Sequence, residues 1–227
     1  MPARRLTDVP SPTPQYAAIG GYALSGTNPG FVRHVALLKN ETGLFYGVET
    51  DVWHMGPPLI AGPITLDISG RGQKVSAHVT GHIDLDRDEI DAIRDWLSEV
   101  DKERGPFGHR RYVAHPHCRW HLSPESGSPL YRRFSCAGFV IECYRAANVD
   151  LVVTDEGQLP LSGIALLGAV YSLDDLQRFG ERIGLDGSGP WPVILPGFLF
   201  HAFAKHAMGQ PRPSPYVPVS TDDAKFG

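Results

Sequence analysis

Cys136 is the residue of this chain whose setting best suits nucleophilic chemistry. It follows Ser135, a good helix N-cap, and precedes apolar residues at helical spacing, so the pattern predicts that it lies in the first turn of a helix. The unpaired backbone N–H groups and the positive dipole end of a helix stabilise a thiolate, and reactive cysteines reach pKa values of about 3.5–7.5. The same N–H groups can hold an oxyanion that forms beside the sulfur.

The alternative interpretation of Cys136 is a small buried apolar residue, which is the commonest role of a free cysteine. Cys143, in the middle of the same predicted helix, has only that interpretation. Gly138 leaves room for the close approach of a substrate or of a neighbouring strand. Cys136 therefore needs a partner base before it is identified as a nucleophile.

His34 is the candidate base. It lies in an apolar run, VRHVALL, that predicts a strand over 31–39, and the turn residues 40–43 lead into a second predicted strand over 44–50. This hairpin places His34 directly opposite Glu49, with Cβ atoms about 4.5–5.5 Å apart. A carboxylate beside one imidazole nitrogen fixes the tautomer and leaves the other nitrogen to face a thiol. The alternative is a solvent-exposed pair of little consequence.

These residues together resemble a known superfamily. Cys136 within FSCAGFVIECYRAANVDL resembles the nucleophile helix of the NlpC-type cysteine peptidases, and His34 within RHVALLKNETGLFYGVET resembles their histidine strand. The histidine precedes the cysteine here, as in the circularly permuted branch that includes lecithin:retinol acyltransferase-like proteins. In some permuted members a glutamate on the strand after the histidine completes the triad, and Glu49 matches that place.

The resemblance implies both a fold and an activity. The implied fold is α+β, a circularly permuted papain-like (NlpC-type) fold in which an antiparallel sheet packs against the nucleophile helix. The implied activity is cofactor-free hydrolysis of an amide, ester or thioester bond, or acyl transfer by the same fold, on a peptide, lipid or protein-conjugate acyl substrate. A papain-like fold that has lost activity and serves as a binding scaffold is a further possibility. Tyr22, Ala137 and His117 are expected to contact the substrate or the oxyanion.

A histidine-rich segment precedes the predicted nucleophile helix. Imidazole and thiolate are zinc ligands, but the spacing matches no closed structural site and the neighbouring arginines oppose a cation. We therefore predict no bound metal and keep a non-enzymatic, zinc-dependent interaction module as the alternative. A third interpretation is that the segment overhangs Cys136 and contacts an anionic or carbonyl-bearing substrate. The segment spans 109–121 and contains His109, His115, His117, Cys118 and His121.

Further elements must hold these residues in place. Residues 75–83 predict a strand, and apolar residues at helical spacing after Asp86, a plausible N-cap, predict a helix. Residues 104–133, broken by proline and glycine, predict a long irregular loop. Ser172 predicts the start of another helix. The apolar run from Val193 to His206 predicts a buried helix, with contact at a membrane surface as the alternative.

Composition and charge limit the classes of function. The chain has 227 residues and a net charge of −4, so no basic face points to nucleic acid or anionic lipid. Three cysteines are too few for a disulfide framework, and no stretch reaches the roughly 18 apolar residues of a transmembrane helix. Without a recognisable secretory signal we expect a cytoplasmic protein, or an effector exported without a leader. The expected organisation is a flexible arm over 1–15, one domain over 16–208 with a large insertion around 51–133, and a Pro-rich tail over 209–227.

Overall fold

The computed structural model describes most of the second half of the chain and several shorter segments before it. The described residues are 16, 18–22, 32–39, 50–56, 60–66, 78–103, 112–159, 161–163, 167, 180–185, 187 and 189–207. Their main elements, in chain order, are β1 (Ala18–Tyr22), β2 (Val32–Lys39), β3 (Thr50–Gly56), β4 (Ile60–Leu66), β5 (His78–Gly81), α1 (Arg87–Lys102), β6 (Arg119–Leu122), β7 (Pro129–Arg133), α2 (Cys136–Ala146), β8 (Leu161–Ser162), β9 (Trp191–Pro192) and α3 (Pro196–Ala207).

β1 to β5 form one sheet with the strand order β4–β3–β2–β1–β5, and every neighbouring pair is antiparallel. The strand predicted over 75–83 is confirmed in a shorter form as β5. Val35 and Leu37 of β2 are fully buried, and both α2 and α3 pack against this strand. Because successive strand residues face opposite sides of a sheet, Val35 and Leu37 mark the side that the helices cover.

β2 and β3 pair, but in a different register from the predicted hairpin. Lys39 pairs with Asp51, so residues 40–49 separate the two strands, whereas a short turn would have placed His34 opposite Glu49. The predicted register is therefore wrong, and Glu49 lies outside the described residues. A turn sequence acts locally, whereas strand register follows from which side chains the whole sheet can bury.

α1 is the helix predicted after Asp86, and its start is confirmed. Asp86 Oδ1 accepts a hydrogen bond from Glu89 N at 2.9 Å, and Glu89 Oε2 accepts one from Asp86 N at 2.9 Å. This reciprocal pair is a capping box. Ile93, Leu97 and Val100 are buried on one face of the helix, and α1 packs against α2.

α3 is the predicted buried helix near the end of the described chain. Leu199, Phe200 and Phe203 are almost fully buried, and the helix packs against β2 and β5. Gly81 of β5 permits this contact, because a Cβ at that position would lie 2.5 Å from the Phe203 ring. The prediction of a buried helix is confirmed, and α3 belongs to the core.

The segment predicted as a long irregular loop contains regular structure, so that prediction is wrong for residues 119–133. β6 and β7 form an antiparallel hairpin in which Trp120 pairs with Arg132. The Arg132 guanidinium lies 5.3 Å from the ring centroid of Trp96 and 5.5 Å from that of Trp120, and it forms an ion pair with Glu103. These contacts hold the hairpin against α1. They join residues that are far apart in the sequence, so no local sequence pattern predicts them.

Other predictions fall outside the described residues, namely the arm over 1–15, the helix at Ser172 and the tail over 209–227. The segment predicted as an insertion contributes β3, β4 and β5 to the same sheet as β1 and β2. Within the described residues, no helix has the length and apolar character needed to cross a membrane.

Candidate active site

Ser135 organises the first turn of α2. Its Oγ accepts a hydrogen bond from Gly138 N at 2.8 Å and donates one to His115 O at 3.1 Å. Its side chain is buried, and the predicted N-cap is confirmed. The cap leaves other backbone N–H groups of the first turn available beside Cys136, the first residue of the helix.

Gly138 is small because the backbone of a preceding segment packs against it. A Cβ at this position would lie 2.9 Å from Ser135 Oγ and 3.0 Å from the carbonyl oxygens of both His115 and Pro116. The sequence predicted a close neighbour at Gly138, and the observed neighbour is this pair of carbonyl groups, neither a strand nor a substrate.

The Cys136 side chain is enclosed, with 4% of it exposed. Burial raises the pKa of the Cys136 thiol to about 11, although hydrogen bonds with the backbone of Val35, of Ala137 and of Cys136 itself act in the opposite direction. The expectation of a depressed pKa is therefore wrong for this structure, because removing the thiolate from water costs more than these backbone contacts return. The backbone of Ala137 contacts the sulfur, and its predicted contact with a substrate or an oxyanion stays a prediction.

The contact with Val35 brings the sulfur to the residue that follows His34 in β2. The His34 backbone pairs with Gly21 of β1, and the position of its ring lies outside the described part of the chain. Since Val35 occupies the helix-covered side, His34 takes the alternate register position.

Strand register brings two further histidines to positions around His34. His34 and His78 both pair with Gly21, from opposite sides of β1. His54 of β3 pairs with Ala36, two residues after His34. The backbone pairing thus places three histidines within four neighbouring strands of the sheet.

Sequence analysis missed His54 and His78. The available signal was a single histidine inside each of two short strand-like runs, TDVWHMG and HVTG. Their approach to His34 depends on the strand order, which places β1 between β2 and β5. Neither the order nor the register can be obtained from those runs alone.

The roles predicted for Tyr22 and Glu49 stay predictions. Tyr22 is the last residue of β1, where its backbone pairs with Val32 after an irregularity in the register. Glu49 lies outside the described residues. Among the described residues, the backbones of Ala137 and of Val35, the neighbour of His34, meet the sulfur.

His117 contacts two parts of the molecule that follow the nucleophile. Its Nε2 donates a hydrogen bond to Thr154 O at 2.8 Å, and its Nδ1 lies 3.8 Å from Glu142 Oε1. Both ring nitrogens face protein groups in this arrangement. The contact of His117 with a substrate oxyanion therefore stays a prediction, and it requires the ring to move.

Other members of the histidine-rich segment also have protein partners. Arg119 Nη2 lies 2.7 Å from His115 Nε2, and His121 stacks on Tyr131 with ring centroids 4.7 Å apart. His109 lies outside the described residues. Among the side chains that the structure describes, no group of three or more His, Cys, Asp or Glu is arranged to hold a metal ion.

A pocket of about 350 Å³ lies at the opposite end of α2 from Cys136. One wall is Arg145, whose guanidinium donates to Glu142 Oε1 at 2.8 Å and to Thr154 Oγ1 at 2.7 Å. With a helical rise of 1.5 Å per residue, Arg145 is about 14 Å from Cys136 along the helix axis. The pocket is thus separate from the thiol. It is lined by Arg145, Asp150, Val152, Val153, Thr154 and Asp155.

Comparisons with protein-family models, with curated proteins and with solved structures found no match for this chain. The likeness to permuted papain-like enzymes therefore rests on the residues around Cys136 and His34.

Proposed function

We propose that this chain is a cysteine-dependent hydrolase that cleaves an amide, ester or thioester bond through an acyl-enzyme on Cys136. The observation that carries the proposal is the setting of the sulfur, which lies at the N-terminus of α2 and meets backbone groups of Val35, Ala137 and Cys136 itself. Backbone N–H groups gathered at one sulfur also suit the oxyanion of acyl transfer. His34, the residue before Val35, is the proposed base.

The raised pKa of Cys136 determines how this base acts. At neutral pH the buried sulfur keeps its proton, so the resting enzyme holds a thiol. His34 then acts as a general base that removes the proton while the sulfur attacks. His34 precedes Val35 in β2, and its role as the base is part of the proposal.

The proposed reaction has two steps. In the first, the thiol proton passes to His34 as the sulfur bonds to the substrate carbonyl carbon, and the carbonyl oxygen takes the negative charge beside the Cys136 and Ala137 amides. Collapse of this intermediate breaks the bond to the leaving group, which takes the proton from His34. In the second step His34 deprotonates water, the water attacks the thioester, and the acid and the thiol are released. An amine or alcohol in place of water makes the same chain an acyltransferase.

Two residues are candidates to orient His34. Glu49 follows from the family resemblance, and His54 follows from the β2–β3 register. A hydrogen bond donated by the distant ring N–H of His34 to the carboxylate of Glu49 or to a ring nitrogen of His54 selects the tautomer that can accept a proton from sulfur. The proposed acyl donor is a peptide, a lipid or a protein conjugate, and a cytoplasmic location is part of the proposal.

An acyl-enzyme can be trapped to test this function. The protein is incubated with p-nitrophenyl acetate, quenched in acid and mapped by peptide mass spectrometry, and one acetyl group is expected on the peptide that contains Cys136. His34→Ala should slow this acetylation by about 100-fold or more, the usual contribution of a general base. Glu49→Gln and His54→Gln, made separately, identify the orienting residue as the one whose loss slows acetylation.

The matched control is His121→Ala, because His121 is exposed and stacks on Tyr131 in the hairpin. This variant should acetylate at the rate of the unmodified sequence. Equal acetylation of all three cysteines, or a His34→Ala variant that reacts as fast as the parent, would refute the proposed role of Cys136 and His34.

A further inference from the structure

Residues 115–118, here called the latch, cross the first turn of α2. Ser135 Oγ donates a hydrogen bond to His115 O at 3.1 Å. A Cβ at Gly138 would lie 3.0 Å from the carbonyl oxygens of both His115 and Pro116, so these groups would have to shift to admit it. The latch therefore touches the residue before Cys136 and the residue two positions after it, and Pro116 is buried.

The ring of His117 holds the latch at its far end. Its Nε2 lies 2.8 Å from Thr154 O, and because a carbonyl oxygen can only accept, this nitrogen carries the proton. Its Nδ1 lies 3.8 Å from Glu142 Oε1 on α2. One imidazole thus connects the latch to α2 and to the segment that follows it.

The chain on the N-terminal side of the latch is firmly attached. Ala114 N donates a hydrogen bond to Ile183 O at 2.6 Å, Val113 N donates one to Phe134 O at 3.1 Å, and both side chains are buried. On the C-terminal side the latch continues into β6 at Arg119. The segment that can move without breaking the core is therefore short and fixed at both ends.

Displacing the latch requires less free energy than displacing β2, which lies on another side of the candidate site. On another side of Cys136 lies β2, a strand inside the sheet, with Val35 and Leu37 buried beneath the helices. The latch is held by hydrogen bonds to Ser135 and Thr154, and the rings of His115 and His117 are partly exposed. Partly exposed segments open locally at lower free energy than the core.

We infer that the latch controls access to Cys136: closed against Ser135 and Gly138 it withholds the thiol, and displaced it admits a reagent or an acyl substrate to the first turn of α2. The inference rests on the proposed function for the identity of the substrate. The change in access to the sulfur does not depend on that function.

The test measures alkylation of Cys136 by iodoacetamide in the native protein at one fixed pH, followed by peptide mass spectrometry. Gly138→Ala acts on the latch directly, because alanine favours the helix while its Cβ would lie 3.0 Å from both backbone oxygens of the latch and 2.9 Å from Ser135 Oγ. His117→Ala removes the bond to Thr154 independently. Each variant should speed alkylation of Cys136 about five- to tenfold, the effect of losing one net hydrogen bond on an opening equilibrium.

Two controls separate opening of the latch from loss of the fold. Cys143, fully buried in the same helix, should stay as unreactive as in the parent protein, and His121→Ala should leave Cys136 unchanged. Alkylation of Cys136 at the parental rate in both latch variants would overturn the inference. So would a parallel rise at Cys143, because the whole core would then be opening.

The outcome is distinguishable from failure of the proposed function. Alkylation requires no turnover, so faster labelling of Cys136 in the latch variants supports the latch even if p-nitrophenyl acetate leaves no acetyl group on the sulfur. Conversely, an acetyl-enzyme together with unchanged alkylation in both variants refutes the latch alone.

Discussion

The sulfur of Cys136 lies against the backbone of Val35, a residue far earlier in the chain. This contact joins the N-terminus of α2 to the interior of the sheet and brings the thiol next to the residue that follows His34. It also encloses the sulfur, so that burial dominates its acidity. Placement and acidity of the thiol are thus set by the same packing, and both have measurable consequences.

The first prediction concerns stability at high pH. Burial raises the pKa of the Cys136 thiol from 9.0 to about 11, so the folded state holds this proton more tightly than the unfolded state does. The resulting stabilisation is fully present below pH 9 and is lost as the pH rises through 11. This difference between the folded and the unfolded pKa corresponds to about 3 kcal/mol.

We therefore expect the free energy of unfolding in urea, measured with a reducing agent present, to fall more steeply between pH 9 and pH 11 for the parent protein than for Cys136→Ala. Titration of the other groups is common to both proteins and cancels in the difference. A difference between the two proteins that stays constant with pH would contradict this account of the buried thiol.

The second prediction concerns the helix cap at Ser135. Ser135→Ala removes the acceptor for Gly138 N and the donor to His115 O, so it should lower the free energy of unfolding by about 1–2 kcal/mol. Ser98→Ala is the matched control, because the Ser98 hydroxyl is exposed and only donates to Arg94 O at 2.9 Å within α1. That change should be neutral or slightly stabilising. Equal losses in the two variants, measured by urea unfolding, would count against the cap.

The third prediction concerns the contact between the sheet and α3. Gly81→Ala places a Cβ 2.5–2.8 Å from atoms of Phe203, and overpacking of this kind should cost about 1–3 kcal/mol. Gly157→Ala is the control, since nothing lies within 4 Å of its added Cβ. Thermal unfolding should show a lower Tm for Gly81→Ala alone. If the two variants have the same Tm, Phe203 does not pack closely on Gly81 of β5.

The fourth prediction concerns Arg132 in the hairpin. Arg132 and Glu103 are 13% and 10% exposed, and the guanidinium also stacks on Trp96 and Trp120. Arg132→Ala should therefore destabilise the protein by about 2–4 kcal/mol, toward the range for breaking a buried pair.

The matched control is Arg94→Ala. The Arg94–Asp91 pair is 47% and 46% exposed, and its loss should change stability by less than about 1 kcal/mol. Urea unfolding followed by tryptophan fluorescence measures both variants, and the emission of Trp96 and Trp120 should also change in Arg132→Ala. A similar small effect for the two arginines would show that the hairpin is not held through Arg132.

Several elements could be predicted from the sequence because their determinants are local. Asp86 and Ser135 accept hydrogen bonds from residues three positions later, and such caps can be recognised in a window of a few residues. Cys143 and the run that forms α3 were predicted to be buried from their apolar neighbours alone, and they are. A helix start depends on what lies within one turn of it.

The residues around the thiol depend on the tertiary structure. The register of β2 places His34 opposite Gly21, and the strand order adds His78 beyond it, whereas the local turn signal had pointed to Glu49. Strand partners are chosen by burial across the whole sheet, so a turn sequence does not determine them.

The sequence by itself determined that Cys136 begins a capped helix, since Ser135 and the apolar residues after it act within that helix. Only the tertiary structure decided that the sulfur meets Val35 and that the carbonyl groups of 115–116 cover the same turn. For that reason the pKa of the thiol is raised, whereas the sequence had predicted that it would be lowered. A helix end favours a thiolate through adjacent dipoles, but desolvation depends on everything that packs around the sulfur, and those groups come from distant parts of the chain.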